Sequence, residues 1–130
     1  MANRFFQQFR YSLEKSVTDL YCHVTVGATG APTKVVANSK GISTVVRNSA
    51  GNYTVTLQDP YYKFLGCTCT LIGTGGNVAA PQFFVASQAV STAATPTVVV
   101  QFENDGGTAT DPASGEAFIL HITVGNSSAY

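Results

Sequence analysis

The chain has 130 residues, 45% of them hydrophobic and only 11% charged, and its seven basic and seven acidic side chains balance to zero. That length fits one domain able to bury a core without metal or disulfide staples. No run approaches the roughly 20 apolar residues of a membrane-spanning helix, and the scattered basic residues, forming no run or stripe, argue against a nucleic-acid partner.

Residues 1–16 carry Phe5, Phe9 and Leu13 four apart, with Phe6 alongside. That spacing stripes one face of a short helix, or else belongs to an extended arm whose aromatics anchor in a neighbour. A third reading is the start of a long strand from Tyr11 to Val26. MANRFFQQFR contains no continuous apolar segment, so no secretion signal is expected and the protein is expected to be made in a reducing cytoplasm. Leu20, Cys22, Val24 and Val26 alternate with Tyr21, His23 and Thr25, which predicts a strand. Gly27–Lys40 reads as a loop, with a short strand at Lys34-Val35-Val36.

Gly41–Leu71 is the clearest stretch. Thr44–Arg47 and Asn52–Leu57 read as a β-hairpin closed by Asn48-Ser49-Ala50-Gly51, since Asn and Gly tolerate positive φ. Tyr53, Val55 and Leu57 share one face; Asn52, Thr54 and Thr56 share the other. Asp59-Pro60 breaks the ladder. Tyr61, Tyr62 and Phe64 form an aromatic knot expected to fix a corner, and a strand follows over Leu65–Leu71. Gly73–Pro81 is a flexible loop; its glycines lack the Lys-Ser or Lys-Thr and the helix of a phosphate-binding loop.

Gln82–Val90 alternates weakly. Thr97–Glu103 is a strong strand with Val98, Val100 and Phe102 on one face. Asn104–Gly115 is a long polar loop. Glu116–Gly125 is a clean strand, with Phe118, Leu120, Ile122 and Val124 inward and Ala117, Ile119, His121 and Thr123 outward. The sum is an all-β fold: an antiparallel β-sandwich or jelly-roll-like barrel of about 7–8 strands over residues 17–130, preceded by the arm or short helix.

Chemistry is sparse. Cys22, Cys67 and Cys69 read as buried free thiols acting as small hydrophobes, because Cys67 and Cys69 point to the same face of one strand. His23 and His121 are isolated and supply no zinc site. Glu103, Asp105, Asp111 and Glu116 cluster around one Gly-bearing loop, where oxygen ligands could hold Ca²⁺; the spacing does not match a calcium loop, and the ordinary alternative is a solvated hairpin loop. No catalytic, cofactor or metal residue is assigned. Basic residues fall wholly within 1–63, giving that part +4 and the remainder −4. Either the two parts interleave and cancel in space, or the asymmetry supplies head-to-tail complementarity between subunits.

Three segments, FFQQFRYSLEKSVTDLYCHVTVG, NSKGISTVVRNSAGNYTVTLQDPYYKFLG and TATDPASGEAFILHITVGNSSAY, cover nearly the whole chain and resemble small tailed-bacteriophage virion proteins. The resemblance is one of pattern rather than of a catalytic motif. It implies a capsid decoration, or cement, protein: a non-enzymatic β-sandwich or jelly roll. Such a protein sits on the virion surface, binds across junctions of the major capsid protein, and associates with itself as a dimer or trimer. Terminal arms suit that use, so inter-subunit contacts are expected at Phe5, Phe6, Phe9, Arg10, Asn126 and Tyr130. The alternatives are a tail or fibre module recognising host glycans and a small enzyme, for which the sequence offers no constellation of residues.

Overall fold

Period-two alternation decides the architecture. The computed structural model describes residues 17–75 and 78–126. Eight strands form: β1 (Val17–Val26), β2 (Pro32–Lys34), β3 (Ile42–Ser49), β4 (Asn52–Leu57), β5 (Lys63–Ile72), β6 (Gln82–Ala89), β7 (Thr97–Glu103) and β8 (Ala117–Gly125). They pair into two four-stranded sheets, β2-β1-β8-β5 and β3-β4-β7-β6. Every pairing is antiparallel. The chain therefore forms the expected antiparallel sandwich. Residues 1–16, with the expected arm or helix, lie outside the described residues.

The central strands carry the core. Val98, Val100 and Phe102 of β7 face Phe118, Leu120, Ile122 and Val124 of β8, and all seven are fully buried. Each such side chain contributes roughly 1.5–3 kcal/mol on leaving water. Aromatic rings join the layers: Phe102 and Phe118, one from each sheet, lie 4.8 Å apart, and Tyr53 meets both at 5.9 and 5.6 Å. These offset and edge-on geometries suit the ring quadrupoles.

Connections are of two kinds. β1–β2, β3–β4 and β6–β7 are hairpins within a sheet, whereas β2–β3, β4–β5, β5–β6 and β7–β8 cross between sheets. The Asn104–Gly115 loop is thus a crossover rather than a hairpin loop. Asp59-Pro60 likewise ends β4 because the chain must leave its sheet there. Tyr61 N–H donates to Val90 O at 2.8 Å and Tyr62 N–H to Gly125 O at 3.0 Å, which ties that crossover to both layers.

Four local expectations are corrected. The second strand is Pro32–Lys34 rather than Lys34–Val36. Ser39 Oγ donates to Val35 O at 2.8 Å, and Val36–Asn38 curls into a 3₁₀ turn. The first long hairpin turns on Ala50-Gly51 alone, because β3 runs on to Ser49 across a register shift at Asn48. Ala117, expected outward, is buried, since β1 and β5 flank it with Thr25 and Ile72 and its side chain is too short to emerge. The aromatic knot is divided: Tyr61 and Phe64 pack against the core, but Tyr62 is 65% exposed.

Candidate functional site

The most connected polar group is Asp111. Arg47, at the end of β3, donates to it through Nε (3.0 Å to Oδ1) and through a terminal nitrogen (2.8 Å to Oδ2). The Gly51 N–H adds a third bond to Oδ1 at 2.8 Å, and the Tyr53 hydroxyl lies 3.4 Å from the same oxygen. That hydroxyl donates at 2.8 Å to the carbonyl of Gly30, within the turn that follows β1. One carboxylate thus fastens the β3–β4 turn and the crossover into β8, and Tyr53 extends the network to the β1–β2 turn. Two glycines make room for this. Gly30 (φ +74) would drive a Cβ into the Asp111 carboxylate, and Gly51 (φ +70) would drive one into the Phe102 carbonyl.

Electrostatics follow from this geometry. Burial pushes the Asp111 pKa up, but the Arg47 guanidinium, the Gly51 N–H and the Tyr53 hydroxyl outweigh it and hold the carboxyl below its ordinary value of 3.8. The same site raises the Tyr53 hydroxyl, first through burial and then through the Asp111 charge. A bidentate pair of this kind is charge-assisted and directional. With its oxygens already engaged, Asp111 is a structural anchor and not a poised acid or base.

The loop acids do not converge. Glu116 is only 4% exposed, and its Oε1 accepts backbone N–H groups from Ala113 and Ala79. Glu103 accepts from Gln101 at 3.3 Å on the outer face of β7, and Asp105 is exposed. Among the described residues, no three His, Cys, Asp or Glu side chains come close enough to hold a metal ion. The expectation of a plain solvated loop is corrected too, because Asp111 and Glu116 turn inward to satisfy backbone and guanidinium donors.

The cysteines are free: Cys22 is buried, and Cys67 and Cys69 are half-buried. Burial pushes their thiols up to about 12, about 11 and about 12 respectively. Nucleophilic work needs a thiolate, so these thiols are packing groups at neutral pH.

Two outer faces remain. On the first sheet, His121 Nε2 lies 3.0 Å from Asp19 Oδ1, and its ring stacks on Tyr21 at 4.8 Å. Thr68 of β5 sits beside His121 in the neighbouring register position. The types resemble a hydroxyl-imidazole-carboxylate set, yet they lie on an open sheet face and Tyr21 covers one side of the ring. On the second sheet an amide ladder crosses three strands. Asn48 Nδ2 donates to Asn52 Oδ1 (2.8 Å), Asn52 Nδ2 to Gln101 Oε1 (3.1 Å), and Gln101 Nε2 to Glu103. Phe84 lies next to Gln101 in register and is 44% exposed. Sequence reasoning missed both the ladder and the Asp111 anchor. The ladder's signal was present in the outward positions of the alternating strands; the anchor has no local signal, since Arg47 and Asp111 are 64 residues apart.

Of the expected contact residues, Asn126 is exposed just beyond β8. Phe5, Phe6, Phe9, Arg10 and Tyr130 lie outside the described residues, so the structure does not bring the set together. A shallow cleft of about 240 Å³ opens at one corner, and Pro60, Tyr61, Tyr62 and Ser91 are the described residues that line it. No family model, curated protein or solved structure matches this chain.

Proposed function

We propose that the protein is a non-enzymatic structural subunit of a tailed-bacteriophage virion, which decorates the capsid and binds as an oligomer across junctions of the major capsid protein. The observation that supports this most is the near absence of charge on the outer face of the β3-β4-β7-β6 sheet. On β3, β4, β7 and β6 the paired outward positions carry Thr, Val, Asn, Gln, Ser, Ala and Phe, with Glu103 as the single acid at the end of β7. Val46 and Phe84 stand exposed among them. Charged residues are depleted in the cores of stable interfaces. A ligand that prefers the closed lattice stabilises it by mass action, and several weak contacts made at once by an oligomer become strong.

Co-sedimentation with expanded capsids tests the proposal. The intact protein is expected to saturate a fixed number of capsid sites. Val46→Lys combined with Val99→Glu is expected to cut occupancy at least tenfold without unfolding the sandwich. Deleting residues 1–10 is expected to lower occupancy further. A protein that never sediments with capsids rejects the role.

One observation favours a second reading, that of a tail or fibre module for host glycans. The Asn48–Asn52–Gln101 ladder beside the exposed Phe84 offers both amide hydrogen bonds and an aromatic platform. A glycan array with no bound sugar discards it.

A further inference from the structure

We propose that β5 is the edge at which two copies of this chain join, strand against strand, across a two-fold axis. This specifies the interface for the self-association contained in the reading above and rests on that part of it alone.

An edge strand presents a row of unpaired N–H and C=O groups, and proteins normally blunt it with charge, proline, a central bulge or short length. Three of the four edges of the described sheets are blunted. β2 has three residues and begins with Pro32. On β3, the Lys34 ammonium donates to the carbonyls of Ile42 (3.0 Å) and Ser43 (2.8 Å). β6 is broken in its middle by a register shift between Val85 and Ser87. β5 is different. It pairs with β8 on one side and with no described strand on the other. Its irregularity comes early, between Phe64 and Gly66, which leaves Gly66–Ile72 in unbroken register. From Phe64 to Ile72 it carries no charge and no proline.

The sandwich is also incomplete along this edge. The inward side chains Cys67, Cys69 and Leu71 are only partly buried, whereas their neighbours Ile122, Leu120 and Phe118 on β8 are wholly so. Leu65 and Ile72 remain 43% and 42% exposed. One added strand, with its own inward side chains, covers that deficit. A second β5 meets every requirement. An axis through Cys69 overlaps the whole regular segment, sets Thr68 against the partner's Thr70, and places small Gly66 opposite the partner's Ile72. No like charges meet, and the joint is isologous and closed. Because a single strand joint buries less than about 1,200 Å², the association is of the transient, concentration-dependent class.

Sedimentation of the full chain over a wide concentration range is the first measurement, with twice the 13.6 kDa protomer mass expected at high concentration. Thr70→Lys puts a charge on the outward face of the edge. It is expected to abolish the dimer while moving the thermal midpoint by no more than about 3 °C, as an exposed substitution should. Thr68→Cys is expected to give a covalent dimer with a short bismaleimide at pH 7, where the wild-type thiols stay protonated and serve as the control. A dimer that survives Thr70→Lys and does not cross-link through Thr68→Cys places the interface elsewhere and overturns the proposal. So does a chain that stays monomeric at every concentration. A monomer that still sediments with capsids overturns the β5 joint and leaves the capsid role standing; a β5 dimer that ignores capsids does the reverse.

Discussion

Asp111 concentrates the stability of the turns in one carboxylate. Asp111→Asn removes the charge that Arg47 faces and weakens the bond from Gly51, so a loss of about 2–3 kcal/mol is expected in urea unfolding. The pH dependence has a definite sign. The folded pKa lies below the unfolded 3.8, so this contribution is fully present above that value and is lost as pH falls through the folded one. Wild-type stability should drop in that acid range, and the drop should be shallower in Asp111→Asn. Equal slopes would show that Asp111 is not the group responsible. Close by, Thr29 sits at φ +55, in the left-handed region that a β-branched side chain avoids. Thr29→Asn should raise stability by about 0.5–1 kcal/mol, since Asn visits that region readily. A loss would mean that the threonine side chain has a partner worth more than the strain.

At the scale of elements, the strands were legible and their assignment to sheets was not. Val98, Val100 and Phe102, and Phe118 to Val124, alternate so strictly that only one face could be buried. A hairpin and a crossover both begin with the same turn residues, however, so the alternation of β7 and β8 could not show that Asn104–Gly115 carries the chain between layers. Nor could it show that Asp111, on that crossover, reaches Arg47. The edge strand and a central strand differ in a way alkylation can read. Cys67 lies on the β5 edge with its thiol pushed up to about 11, while Cys22 lies on β1, between β2 and β8, with its thiol at about 12. In the native protein iodoacetamide should react very slowly at pH 7, first at Cys67 as pH rises, and at all three cysteines at once in denaturant. Rapid native labelling of Cys22 would mean that β1 opens far more often than a central strand should.

Across the whole molecule, the +4 and −4 parts of the chain do not form two separate lobes. β1 and β4 from the first part pair with β8 and β7 from the second, and the Arg47–Asp111 ion pair joins the two parts. The two parts are therefore mixed in space rather than held apart, and the surfaces left for association are the nearly uncharged outer face of the β3-β4-β7-β6 sheet and the β5 edge. That distinction is measurable. Raising salt from about 0.1 M to about 1 M shortens the Debye length from about 10 Å to about 3 Å and would cripple head-to-tail charge pairing. Association through uncharged faces and strand hydrogen bonds should change in affinity by less than about threefold over that range, and its on-rate should be as insensitive, because no steering field is at work. Fluorescence titration of self-association and of capsid binding at the two ionic strengths separates the cases. A steep fall in affinity in either titration would return the charged residues of the two parts to the interface and remove the uncharged faces from it.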